Sequence, residues 1–125
     1  GRHVAPALVR LAFRAKAPGR VALVTDAVAW QSDGAPLQMI DGTPCLADGT
    51  LAGSTLTMDE AVRNAVDFGV EPIDALRAAS ATPAAVLGLA DRGRLSPGAR
   101  ADVCVLTPDL EVRQVWVGGV LAWER

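Results

Sequence analysis

The chain has 125 residues, half of them apolar, with a formal net charge of −2 and its arginines scattered. That is the size of one ordinary domain, with enough apolar material for a core built mainly from Ala and Val. It excludes a basic nucleic-acid surface, because no basic run is interleaved with aromatics, and no apolar stretch approaches the ~20 residues of a membrane helix.

Gly1-Arg2-His3 opens the chain without an initiator Met and without a charged-then-apolar leader. A secretory signal is therefore not expected, and the start reads as the middle of a longer protein or as a processed end. His3 is the only histidine. Val4, Leu8, Leu11 and Ala15 follow at helical spacing, with Ala7 and Ala12 beside them and Pro6 suited to a first turn. An amphipathic helix is predicted from about Pro6 to Lys16. Pro18-Gly19 turns the chain into the unbroken apolar run Val21 to Val24, a strand buried on both faces as in a parallel sheet. Asp26 falls where that strand leaves the sheet. Strand ends of α/β folds collect ligands and chemistry, so Asp26 is either a site carboxylate or a turn or helix-cap acid.

Residues Ala29 to Gly49 are punctuated by Gly and Pro and read as loop, with Leu37–Ile40 a short strand and Asp41-Gly42 and Asp48-Gly49 as turns. The small residues of Leu51-Ala52-Gly53-Ser54 let another group approach the backbone closely. Thr57-Met58-Asp59-Glu60 has the form of a capping box, so a helix starts there. Its apolar face is Met58, Ala61, Val62, Ala65 and Val66, and Gly69 closes it. A second helix begins at Glu71-Pro72, with Ile73, Leu76, Ala79 and Ser80 near one face. A third is capped by Thr82, packs through Val86 and Leu87, and ends at Gly88. From Arg94 the period shortens. Ala101 to Leu106, Val112 to Val117 and Val120 to Trp123 read as three strands, the last two joined across Gly118-Gly119, with Trp116 and Trp123 as their core. Cys45 and Cys104 are isolated thiols, expected to be buried or inert in a reducing cytoplasm.

The order of these motifs resembles a known family. Gly1-x-His3, a helix, L-V-T-D-A, then D-G-T-L-A-G-S-T-L-T-M-x-x-A-V-R-N is similar to the C-terminal part of N-acetylglucosamine-6-phosphate deacetylases, in the amidohydrolase superfamily. A-T-P-A-A-V-L-G-L and the tail G-x-L-x-x-G-x-x-A-D agree. The tail identifies only the superfamily; Leu51 to Met58 is the specific stretch. The resemblance implies an α/β fold: the C-terminal part of a (β/α)₈ barrel in residues 1–93, plus strands of a small β-sandwich in 94–125. It implies metal-dependent hydrolysis of N-acetylglucosamine 6-phosphate, with Asp26 as the catalytic acid–base group. His3 would contact the substrate, and the backbone of Leu51, Ala52 and Gly53 would touch the sugar phosphate. The divalent metal, zinc or similar, would need ligands from earlier strands, since no such set exists here. A barrel needs about 200 residues or more, so the chain would be a fragment, inactive alone. The competing readings are another amidohydrolase, dihydroorotase-like or adenine-deaminase-like, and a non-catalytic α/β module. Exposed strand edges and apolar helix faces would make the fragment self-associate. The expected partners are thus a small amino-sugar phosphate and copies of itself, with no nucleic acid and no membrane.

Overall fold

The computed structural model describes residues 3–29 and 37–125. Part of the predicted 29–49 loop, and the opening Gly1-Arg2, lie outside the described residues. The element order is α1 (Pro6–Ala15), β1 (Leu37–Ile40), β2 (Thr43–Leu46), α2 (Met58–Asp67), α3 (Pro72–Ala79), α4 (Ala81–Val86), β3 (Val103–Leu106), β4 (Val112–Val117) and β5 (Val120–Glu124). It is a mixed α/β arrangement with two antiparallel sheets, β1-β2 and β3-β4-β5. The described residues form neither a closed barrel nor a sandwich. None of their helices is long and apolar enough to cross a membrane.

Local chemistry accounts for most element ends. Pro6 and Pro72 open α1 and α3, where a missing N–H costs nothing. The capping box at α2 forms as expected: Thr57 N–H donates to Glu60 Oε2 at 2.9 Å, and the Thr57 side chain receives the backbone of Glu60. Replacing Thr57 with Ala is expected to cost about 1 kcal/mol, read as a lower urea midpoint with an unchanged m-value. An unchanged midpoint would mean that the cap contributes nothing. Beyond α2, Gly69 sits at φ 89°. Gly69 N–H bonds Val66 O at 2.8 Å and Val70 N–H bonds Ala65 O at 3.0 Å, so a Schellman turn ends the helix. Both hairpins close through two residues of positive φ, Asp41-Gly42 and Gly118-Gly119, the geometry that matches strand twist.

The core is small. Val62, Ala65, Val70 and Ala75 are buried together, with Val9, Phe13, Leu23, Val66, Leu76, Ala79 and Leu110 packed around them. Leu110, in the β3–β4 turn, brings the sheet onto α2, and Arg63 Nη1 donates to its carbonyl at 2.9 Å.

Several expectations about faces are corrected. On α1 the inward residues are Val9 and Phe13. Leu8 and Leu11, expected inside, are 56% and 59% exposed. The helix is apolar on more than one side, and the α2–α3 core meets only one of them. Val21 to Thr25 is not a doubly buried strand. Among the described residues it joins no ladder, and its burial alternates, with Leu23 half-buried against the core and Val24 exposed. The apolar run is real, but one side of it has no neighbour among the described residues. Alanines carry the packing of α3 and α4: Ala75, Ala78 and Ala84 are buried while Ile73, Val86 and Leu87 are exposed. Thr82 does not cap α4. It lies buried inside the first turn, and its Oγ1 has no hydrogen-bond partner among the described residues. Trp116 is half-buried, but Trp123 is exposed along with all of β5. β2 was not foreseen, because Pro44 argues against a strand; here Pro44 is fully buried opposite Met39. Both cysteines are free. Cys45 is buried. Cys104 is exposed rather than buried, yet partial desolvation of its thiol and the nearby Asp59 carboxylate push its pKa up, which disfavours the thiolate.

Candidate functional site

A cleft of about 760 Å³ lies between the 23–26 segment, the β1–β2 hairpin and α2. His3, Thr25 and Asp26 line one wall, Thr43 and Pro44 another, and Ser54, Leu56, Glu60, Arg63 and Asn64 the rest. The volume falls in the range of small-molecule sites. The two side chains singled out from the sequence, His3 and Asp26, therefore face one cavity. Leu51, Ala52 and Gly53 do not line it.

Several polar groups around the cleft are already committed. Glu60 caps α2, and Arg63 is bonded to Asp59 Oδ2 at 2.8 Å and to Leu110 O. The Arg63 guanidinium contributes to holding the Asp59 carboxyl below its ordinary pKa, although the hydrogen bond from the Thr57 side chain is the larger cause. Asp26 is different. It is exposed, and among the described residues its carboxylate has no hydrogen bond or ion pair, which leaves its oxygens free for a water or a proton. Its backbone is in the left-handed region at φ 52°. Asp is one of the few residues that tolerates this, and such positions concentrate at functional sites.

The small residues at 51–54 do admit a close approach, and what approaches is the chain's own site loop. Ala27 and Ser54 form a parallel bridge. A Cβ on Gly53 would lie 2.6 Å from Val28 Cγ1 and 2.8 Å from Asp26 O, at φ 106°. Ser54, which sequence reasoning passed over, is buried beside Asp26; its N–H donates to Asp26 O, and its other bonds reach Thr25 and Val28 on either side. The run of small residues is the only signal that could have pointed there. Ala52 N–H is taken by Pro44 O at 3.0 Å.

The tail motif serves structure. Asp102, its last residue, accepts the Gly118 N–H at 2.8 Å and pairs with Arg92 at 2.9 Å and Arg100 at 3.0 Å. It thus ties the β4–β5 turn to the segment after α4. The Gly118 N–H and then the two guanidinium groups hold its carboxyl below the usual carboxylate range. A group whose folded pKa is depressed stabilises the fold above its unfolded pKa of about 3.9, and that contribution disappears as pH falls through the folded pKa. Asp102→Asn should lower the melting temperature at pH 7 and leave a shallower loss on acidification than in the wild type. Parallel acid limbs for the two proteins would refute a role for Asp102.

No group of three or more His, Cys, Asp or Glu that could hold a metal ion is present among the described residues. His3, Asp26, Glu60 and Asp67 all line the cleft, but no three of them come together as the ligand set that a catalytic metal site takes. A resident divalent metal does not fit this chain's own donor set.

The cleft brings His3 and Asp26 to one place in a mixed α/β fold, and comparison with known proteins names the class. Residues 10–122 match the model of the Amidohydrolase family, so the chain belongs to the amidohydrolase family. Within it, the chain is 42% identical, over 98% of its length, to an N-acetylgalactosamine-6-phosphate deacetylase of Escherichia coli O157:H7, of which it covers 35%. It covers 78% of a shorter homologue from E. coli K12, also at 42% identity. Among solved structures it is similar to the N-acetylglucosamine-6-phosphate deacetylase of Thermotoga maritima (33% identity, 98% of this chain and 36% of that one, TM-score 0.88). It is also similar to an aspartate-to-alanine mutant of the Mycobacterium smegmatis deacetylase in complex with N-acetyl-D-glucosamine-6-phosphate (38% identity, 95% and 35%, TM-score 0.82). The chain thus spans about a third of the length of these full deacetylases.

Proposed function

We propose that this chain is the C-terminal part of an N-acetylglucosamine-6-phosphate deacetylase, with residues 1–93 belonging to a (β/α)₈ barrel and 94–125 to a small β-sandwich. The observation that carries the reading is that His3 and Asp26 line one cleft, in a chain whose fold follows solved deacetylases over nearly its whole length. Amide hydrolysis needs a deprotonated water and a proton for the leaving amine. Asp26 is placed to do both: its free carboxylate takes the proton of the attacking water and returns it to the nitrogen as the C–N bond breaks. His3 binds the substrate acetamido group from the same wall. The backbones of Leu51 and Gly53, which lie outside the cleft, meet the sugar phosphate only where the substrate extends past it. Ala52, whose N–H is committed to Pro44 O, has no free backbone donor to offer the phosphate. A divalent metal belongs to the whole enzyme and takes its ligands from outside this chain's described residues, so the isolated chain is inactive. The free thiols fit a cytoplasmic setting. The exposed Leu8, Leu11, Val24, Val120 and Trp123 favour a homo-oligomer or burial against the rest of the enzyme.

The test is release of acetate from N-acetylglucosamine 6-phosphate, with the galactosamine epimer alongside. The chain alone should release none, and a metal-loaded enzyme that includes this sequence should turn over. Turnover of neither sugar by the longer protein would overturn the assignment, and preference for the galactosamine epimer would correct the substrate.

A further inference from the structure

The left-handed backbone at Asp26 persists only if its surroundings impose it, because the conformation is unfavourable for a residue with a Cβ. Here one residue supplies the restraint. Ser54 N–H donates to Asp26 O at 2.8 Å, and Val28 N–H donates to Ser54 O at 3.0 Å. The Ser54 hydroxyl donates to Thr25 O, and its oxygen accepts Leu56 N–H at 3.1 Å. These bonds bracket Asp26 from Thr25 to Val28. Ser54 is 7% exposed, so water does not readily replace them. Gly53 beside it allows the approach, since any Cβ there would meet Asp26 O and Val28.

We propose that Ser54 is a positioning residue for Asp26: its backbone and hydroxyl fix the turn from Thr25 to Val28 that presents the carboxylate to the cleft. The inference rests on the reading of Asp26 as the proton carrier. The two halves of the clamp are separable. Ser54→Ala keeps the backbone bonds but leaves Thr25 O and Leu56 N–H without the hydroxyl, and the turn then relaxes toward ordinary φ. Ser54 lines the cleft, but its hydroxyl is committed to Thr25 O and Leu56 N–H, so the effect falls chiefly on the geometry of proton transfer.

The experiment uses the metal-loaded full-length enzyme with N-acetylglucosamine 6-phosphate, and crystal structures of the same variants. Ser54→Ala is expected to lose about a hundredfold in kcat, the scale of a displacement near 1 Å, with KM nearly unchanged and Asp26 out of the left-handed region. Ser54→Thr and Ser54→Val form a second pair of equal shape that decides the matter if the alanine variant does not fold. Thr should retain most of kcat, and Val should lose it. The proposal is overturned if Ser54→Ala keeps wild-type kcat, if Thr and Val behave alike, or if kcat falls while Asp26 keeps its positive φ. Absence of acetate release by the wild-type enzyme would instead overturn the deacetylase reading alone, and φ at Asp26 in the variants would still decide whether Ser54 positions it.

Discussion

Asp26→Asn in the metal-loaded enzyme is expected to lower kcat by about 10²–10⁴-fold, the usual contribution of a positioned acid–base group. The substitution is unusually clean. Asparagine tolerates left-handed φ at least as well as aspartate, so the turn at φ 52° is not disturbed. The side chain is exposed and, among the described residues, unpaired, so folding stability should change by no more than about 0.5 kcal/mol. What changes is the ability to accept a proton from water. The carboxamide keeps an oxygen and the shape but is not a base. The effect should therefore appear in kcat and in kcat/KM, with KM and the melting temperature close to wild type. Acetate release measured beside a thermal melt checks both halves. A variant that turns over within a factor of a few of wild type would remove Asp26 from the mechanism, and the cleft would then need another base. Glu60 and Asp67 are the other carboxylates lining it; Glu60 is bonded to Thr57 N–H, which leaves Asp67 as the uncommitted alternative among the described residues.

The parts of this molecule written in local chemistry were legible in advance. The capping box at Thr57, the Pro starts of α1 and α3, the Gly69 stop and the Gly118-Gly119 hairpin each depend on residues a few positions apart. Faces were less legible. Periodicity shows that α1 is apolar but not which apolar side finds a neighbour, and the side chosen, Leu8 and Leu11, is the exposed one. Val21 to Val24 has the composition of a central strand, but a strand becomes one only when others pair with it, and none does among the described residues. In α3 and α4 the core is made of alanines, whose low hydrophobicity hides them behind Ile73 and Leu87 in any count of apolar positions. The site divides the same way. His3 and Asp26 could be named as candidates because few residue types carry acid–base chemistry, and the fold brings both to one cleft. Ser54 was not, because its role comes from a contact 28 positions away that only the fold creates.

Gly93→Ala should give the largest loss of stability of any conservative change in the tail. Gly93 begins the G-x-L-x-x-G-x-x-A-D motif, and its φ is 71°. Two costs add there. A Cβ in the left-handed region is unfavourable by about 1–2 kcal/mol. The added methyl would also lie 2.8 Å from Ala81 Cα, 2.9 Å from Ser80 O and 3.0 Å from Ala84 Cβ. Two of those atoms are backbone, and the third is a buried methyl on α4, so nothing nearby can rotate away. Overpacking of this kind adds about 1–3 kcal/mol. The sum, about 2–5 kcal/mol, is a large part of the 5–15 kcal/mol that holds a domain of this size together. The melting temperature should fall by about 10–20 °C. Gly98, the second glycine of the motif, supplies the control. It has φ 83°, but a Cβ there meets nothing within 4 Å. Gly98→Ala carries the conformational cost without the contact, so it should cost about 1–2 kcal/mol. The difference between the two variants isolates the close approach of Gly93 to the α3–α4 junction. If both lose the same stability, the contact is relieved by movement of the chain. The first glycine would then be needed for its φ alone, as the second is.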